Sequence, residues 1–202
     1  NMVTTASTTA AQQAQPERIS WEDFQAEYLT REDAYKYEWL DGIVEKTERA
    51  MNQNQFFILQ NLLAFFRELL NAGKASGELI PEGDTFFLEN HRRPDIAYFT
   101  NEQIARAARG ENQVPQFVIE IISKNDVANK VQAKVQDYQR AEVQVIWHLY
   151  PELEEVHIYH GKQVTICSGD DLCSAAPVLP AFELSVAAIF QKPKVEKESE
   201  DK

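Results

Sequence analysis

The stretch Phe117-Val118-Ile119-Glu120-Ile121-Ile122 constrains this chain more than any other. It is a near-continuous apolar run with the length and β-branched composition of a strand, and it lacks the alternation of a strand with one wet face. Such a strand is central and covered on both sides, as in sheets that carry helices on both faces. Glu120 interrupts it. An ionised carboxylate there is costly unless it is paired, protonated or bound to a metal. Three readings stay open from the run itself: an ion pair with a buried lysine or arginine, a strand end wetter than its neighbours suggest, or a functional carboxylate.

The elements around the run set the fold class. Ser20-Trp21-Glu22-Asp23 resembles a capping box with Asp in place of Glu or Gln, and predicts a short helix over 21–29. Thr30 begins a second such signal. Asp41-Gly42 between Tyr37–Leu40 and Ile43–Glu45 predicts a hairpin. Residues 52–72 read as a long amphipathic helix, with Phe56, Leu59, Leu62, Leu63, Phe66, Leu69 and Leu70 inward and Gly73 as its stop. Strands are expected near 77–81, 84–88 and 94–99, and a helix over 101–109. After the central strand come a helix over 126–141 with Val127, Val131, Val135 and Tyr138 inward, a strand over 143–150, a hairpin around Gly161 and a last helix near 185–191. This order predicts an α/β mixed sheet flanked by helices, with additional N-terminal and C-terminal β-hairpins, rather than a doubly wound repeat. Residues 17–191 form the expected domain. Residues 1–16 read as a disordered arm without the charge and apolar core of a signal peptide, and 192–202 as a charged tail.

Composition excludes several functions. No strand is followed by a phosphate-cradling glycine motif, which removes the common nucleotide-cofactor enzymes. No apolar run approaches the ~20 residues of a membrane-spanning helix. Cys167 and Cys173 lack zinc-site spacing and read as free thiols in a reducing, cytoplasmic setting. The net charge of −12 opposes non-specific nucleic-acid binding. Residues 91–140, however, carry eight bases against six acids and are net positive, so one face can still meet a polyanion.

That block also holds the chemistry. Pro94-Asp95 opens the strand Ile96-Ala97-Tyr98-Phe99, and Asp95 alone would pass for an ordinary strand-end residue. Asp95 and Glu120 together can converge on one divalent cation, and an all-oxygen ligand set suits Mg²⁺ or Mn²⁺. Lys124, Lys130 and Lys134 follow, with Lys130 and Lys134 on one helical face. Any of them could support hydrolysis of a phosphodiester, and Lys130 reads best as a solvated residue. His157 and His160 fall on opposite faces of a strand and cannot share a metal. Trp39 and Trp147 read as core.

Pro94-Asp95, Glu120-Ile121-Ile122-Ser123 and Lys134 resemble the PD-(D/E)XK nuclease signature in a variant form, with the lysine moved from position 122 to the next helix. Taken with Tyr37-Glu38-Trp39-Leu40-Asp41-Gly42, Lys134-Val135-Gln136-Asp137-Tyr138, Val145-Ile146-Trp147 and Pro180-Ala181-Phe182-Glu183-Leu184-Ser185, the chain from about 20 to 191 resembles the Uma-two family of restriction-endonuclease-like proteins, also catalogued as domain of unknown function 820. The resemblance implies a metal-dependent endonuclease acting on DNA. It implies Asp95, Glu120 and the carbonyl of Ile121 as ligands of Mg²⁺ or Mn²⁺, Lys134 as the catalytic lysine, and a further role for Glu38, as a ligand through water or in orienting the hairpin. Two departures favour an alternative, a decayed nuclease fold that binds DNA or protein without cutting. Family members often carry a histidine where this chain has Asn52-Gln53-Asn54-Gln55, and an aspartate where it has Lys130. A homodimer is the expected assembly if both strands of a duplex are cut.

Overall fold

The structure, a computed structural model, describes residues 16–48, 53–87 and 90–194. Its helices are α1 (Trp21–Phe24), α2 (Phe56–Asn71), α3 (Asn101–Ala107), α4 (Ala128–Arg140) and α5 (Val186–Ile189). Its strands are β1 (Tyr35–Leu40), β2 (Ile43–Glu48), β3 (Glu78–Pro81), β4 (Thr85–Phe87), β5 (Asn90–Arg92), β6 (Ile96–Phe99), β7 (Phe117–Ile121), β8 (Val145–Tyr150), β9 (Glu155–His160), β10 (Gln163–Ser168), β11 (Leu172–Ala175) and β12 (Leu179–Ser185).

The Phe117–Ile122 run does lie inside a mixed sheet, ordered β10-β9-β8-β7-β6-β3. Only β7 and β8 are parallel, and α4 provides the crossover between them, as a parallel pair requires. The sheet is covered on both faces. Phe117 and Ile119 of β7, with Ile96, Tyr98, Val145 and Trp147, pack against α2, β11, β12 and α5. Val118, Ala97, Phe99 and Ile146 pack against Val135 and Tyr138 of α4. Glu120 therefore faces α4, by strand alternation.

A second sheet, ordered β2-β1-β5-β4, supports the other side of the site. Its leading hairpin turns at Asp41 and Gly42, both with positive φ (49° and 81°), the geometry for which Asp-Gly is suited. Ser20 caps α1 by accepting from the amide of Asp23 at 3.0 Å, and its hydroxyl donates back to the Asp23 carboxylate at 2.8 Å. The helix continues as a π turn over Gln25–Leu29. α2 ends as predicted, with Gly73 at φ 67° and the amide of Lys74 donating to Leu69 at 2.8 Å.

Several expectations need correction. Phe56 is 54% exposed and Val127 58% exposed, and Ile58 takes the inward place in α2. The α2 register is thus shifted by part of a turn, and Val127 is the N-cap of α4 rather than part of its core face. The pattern of the sequence did not disclose β5 and β11, which are only three and four residues long, or β12, which opens with Leu179-Pro180. Both expected hairpins are present: β1–β2 joins β5 and β4 in the second sheet, and β9–β10 extends the main sheet. Trp147 is fully buried and Trp39 half-buried. Both cysteines are free and buried. Among the described residues no helix is long and apolar enough to cross a membrane. The expected arm, apart from Pro16, the end of the expected tail and Asn52 lie outside the described residues.

Candidate functional site

Asp95 and Glu120 come together because β6 and β7 are antiparallel. Ile96 pairs with Ile119 and Ala97 with Val118, so Asp95, one residue before β6, continues the ladder opposite Glu120. The same rung runs on through His148 of β8 and His157 of β9. Four titratable side chains thus occupy one line across the α4 face.

Each carboxylate has its own partners. Asp95 Oδ2 accepts from the amide of Ile121 at 2.7 Å, and Oδ1 from Lys36 Nζ at 3.2 Å. Glu120 Oε1 accepts from the hydroxyl of Tyr138 at 2.6 Å, and Lys134 Nζ lies 3.4 Å from Oε2. Lys134 and Tyr138 are four apart on α4, so one helical face serves both contacts. Of the three lysines raised by the sequence, Lys134 reaches the pair, whereas Lys124 and Lys130 are exposed. The buried-lysine reading of Glu120 is therefore correct as a description of its contacts.

Glu38 is fully buried one layer away. It accepts from the amide of Arg93 at 2.8 Å and from Arg92 Nη1 at 3.1 Å. Arg92 also donates to Asp137 Oδ2 from Nε at 2.9 Å and from Nη2 at 2.5 Å. One guanidinium thus ties β1 to α4, with its fork geometry matched to two carboxylates. Arg93 adds a contact to Asp84 at 2.8 Å and to the carbonyl of Leu29 at 2.6 Å.

These contacts sort the protonation states. Burial raises the pKa of Asp95, but Lys36, Lys134 and the Ile121 amide outweigh it and the result is lowered. Burial and the facing Asp95 push Glu120 up, against the pull of Lys134. At Glu38 burial is overcome by Lys134, Lys36, Arg92 and the Arg93 amide, which bring its pKa down to about 2. Carboxylates hold Lys36 and Lys134 above the ordinary lysine value despite their burial. Burial lowers His148 to about 4, so it is neutral near pH 7.

Lys36, Arg92, Asp137 and His148 were not singled out from the sequence. For Lys36 a signal existed: it stands two before Glu38 on β1, so the two share a strand face. A crevice of about 450 Å³ opens beside Ile122, Ser123, Lys124, Tyr150 and Tyr159, just past Glu120. A slightly larger one, of about 500 Å³, lies beside Phe86 and Ile104, and neither crevice is lined by Asp95 or Glu120.

The mixed sheet with flanking helices is a restriction-endonuclease-like fold. The chain belongs to the Uma2 family, described as "Putative restriction endonuclease", whose family model matches residues 21–187. It is similar to a crystal structure from Anabaena variabilis described as "a putative nuclease belonging to DUF820". The TM-score is 0.70 at 20% identity, covering 85% of this chain and 97% of that one. At that identity the likeness speaks for the fold. No functionally curated protein matches the chain.

Proposed function

We propose that this protein is a metal-dependent endonuclease hydrolysing DNA phosphodiester bonds. One observation carries the reading: Asp95 and Glu120 stand opposite each other at the end of a β6–β7 ladder, with Lys134 against Glu120. Among the described residues no three His, Cys, Asp or Glu side chains form a metal-binding group. The two carboxylates, the Ile121 carbonyl, water and phosphate oxygens would together make an all-oxygen ligand set, which suits Mg²⁺ or Mn²⁺. A divalent ion in such a set supplies Lewis-acid polarisation and acidifies water.

The protein's own groups supply the rest. Asp95 is fixed by the Ile121 amide at Oδ2, so Oδ1, where Lys36 sits, is held in a defined place. Lys134 would orient the attacking water and offset charge developing on the phosphate oxygens. Tyr138 holds the Glu120 carboxyl in place. Glu38 is saturated by Arg92 and Arg93, which favours its role as a positioning residue over direct ligation. The net-positive 91–140 block would face the DNA, and two copies would serve the two strands of a duplex.

The test is calorimetric titration of Mn²⁺ into the wild type, Asp95→Ala and Glu120→Ala, with and without a DNA duplex, together with cleavage assays. Metal binding and cleavage that both need Asp95 and Glu120 are the expected result. Unchanged cleavage in both variants would sink the assignment. DNA binding without any turnover would instead identify a decayed nuclease fold.

A further inference from the structure

The proposed metal pair already faces a positive charge that the reading above does not use. Lys36 enters from β1, in the second sheet, with its side chain 8% exposed and its Nζ 3.2 Å from Asp95 Oδ1. A lysine this buried is rare without an acidic partner, and here it pairs directly with Asp95.

The geometry of the carboxylates decides what Lys36 does. Asp95 Oδ2 is committed to the Ile121 amide, so Oδ1 is the oxygen left for a cation, and Lys36 is on it. Glu120 repeats the arrangement, with Oε1 committed to Tyr138 and Oε2 facing Lys134. A divalent ion entering between Oδ1 and Oε2 would meet two ammonium groups at close range, in a site with little water to screen them. Charge is already nearly balanced: Asp95, Glu120, Glu38 and Asp137 face Lys36, Lys134 and Arg92.

We propose that Lys36 is a resident counter-cation that holds the carboxylate pair closed to divalent ions until a phosphodiester arrives. This inference rests on the metal-dependent nuclease reading. The phosphate offers the Lys36 ammonium a strong alternative acceptor. Drawn toward the phosphate, Lys36 leaves Asp95 Oδ1 for the metal. Metal and DNA then load cooperatively, each raising the affinity of the other by the same factor. Lys36 acts as a positioning residue, through Asp95. An idle site without substrate stays unloaded.

The experiment titrates Mn²⁺ into the full chain, with and without a short DNA duplex carrying phosphorothioate linkages, and follows heat rather than cleavage. The variants are Lys36→Met, Lys36→Gln and Lys36→Arg, each checked for a cooperative thermal melt. Wild type is expected to bind Mn²⁺ at least about tenfold more tightly with the duplex than alone, as removal of one close like charge implies. Lys36→Met and Lys36→Gln should bind Mn²⁺ alone about tenfold more tightly than wild type, with most of the duplex effect gone. Lys36→Arg keeps the charge and should keep the weak duplex-free binding. The proposal is overturned if folded Met and Gln variants bind Mn²⁺ no more tightly than wild type. Asp95→Ala separates the two levels of failure. If wild type binds Mn²⁺ through Asp95 but the Lys36 variants match it, the Lys36 inference alone falls. If wild type binds none even with the duplex, the metal reading falls and takes this inference with it.

Discussion

Asp95 and Glu120 face each other across the β6–β7 ladder, yet their protonation equilibria are pushed in opposite directions. Both are buried, which raises both. At Asp95 the ammonium of Lys36 and the amide of Ile121 prevail. At Glu120 burial and the neighbouring negative charges prevail over Lys134. Placing like charges opposite one another in a ladder is destabilising, and sharing the strain unequally is the usual outcome.

The two neutral isosteres should therefore differ in stability. A lowered carboxyl pKa contributes stability at neutral pH that is lost as pH falls, whereas a raised one favours the protonated form. Asp95→Asn is expected to cost about 1–3 kcal/mol near neutral pH, because Lys36 loses its ion pair. Glu120→Gln should lie within about 1 kcal/mol of wild type or above it, since a buried charge at this position is itself a strain. Urea denaturation of both variants near pH 7 checks this, and equal losses in the two would contradict the assigned asymmetry.

Arg92 is the other point of strain. Its guanidinium bridges Glu38 and Asp137, both buried. Arg92→Met should destabilise by about 3–5 kcal/mol, because two buried carboxylates each lose a direct ion-pair partner. Adding Glu38→Gln and Asp137→Asn to Arg92→Met should recover part of that loss. A triple variant no more stable than the single one would mean that packing, and not charge, explains Arg92.

Much of the frame was legible in the residues. The Phe117–Ile122 run announced an interior strand, Asp41-Gly42 its hairpin and Gly73 the end of α2, because each rests on local physics. Glu120 could be singled out because it interrupts an apolar segment, where a charge is conspicuous, whereas Asp95 alone would pass for a strand-end residue and Lys134 for one of three candidate lysines. The Uma-two resemblance, now matched by the family model over 21–187, joined them. Lys36 and Arg92 stayed hidden for a different reason. Each looks like an ordinary polar residue of a strand with a wet face, and only the packing of the second sheet against α4 turns that face inward. Val127 and Phe56 were misread because periodicity fixes a helical face only to within part of a turn.

The three candidate lysines can be ranked by function. Lys134 lies 3.4 Å from Glu120 while Lys124 and Lys130 are exposed. Lys134→Met should lower DNA cleavage about 10²-fold or more, the scale of losing one preorganised electrostatic donor. Lys124→Met and Lys130→Met should act through backbone phosphates only, with a modest loss that shrinks as salt is raised. Single-turnover rates at two ionic strengths distinguish the cases. A Lys130→Met loss as large as that of Lys134→Met, at both salt levels, would move the catalytic role.

His148 should make the protein acid-sensitive before any carboxylate does. Its side chain is fully buried, neither ring nitrogen has a hydrogen-bond partner among the described residues, and its pKa is lowered to about 4. Burial is the main cause, with Lys134 and His157 adding to it. In the unfolded chain the ring titrates near 6.5. As pH falls from about 6.5 to about 4, the unfolded chain takes up a proton that the folded protein refuses, so stability declines by up to roughly 3 kcal/mol. His148→Leu removes that titration and replaces an unsatisfied polar group with an apolar one of similar size. The variant is expected to be at least as stable as wild type near neutral pH and to show a much flatter decline across that window. Urea midpoints measured from about pH 7.5 down to about pH 4 test the claim. A variant that keeps the wild-type slope would remove His148 as the source of the acid sensitivity.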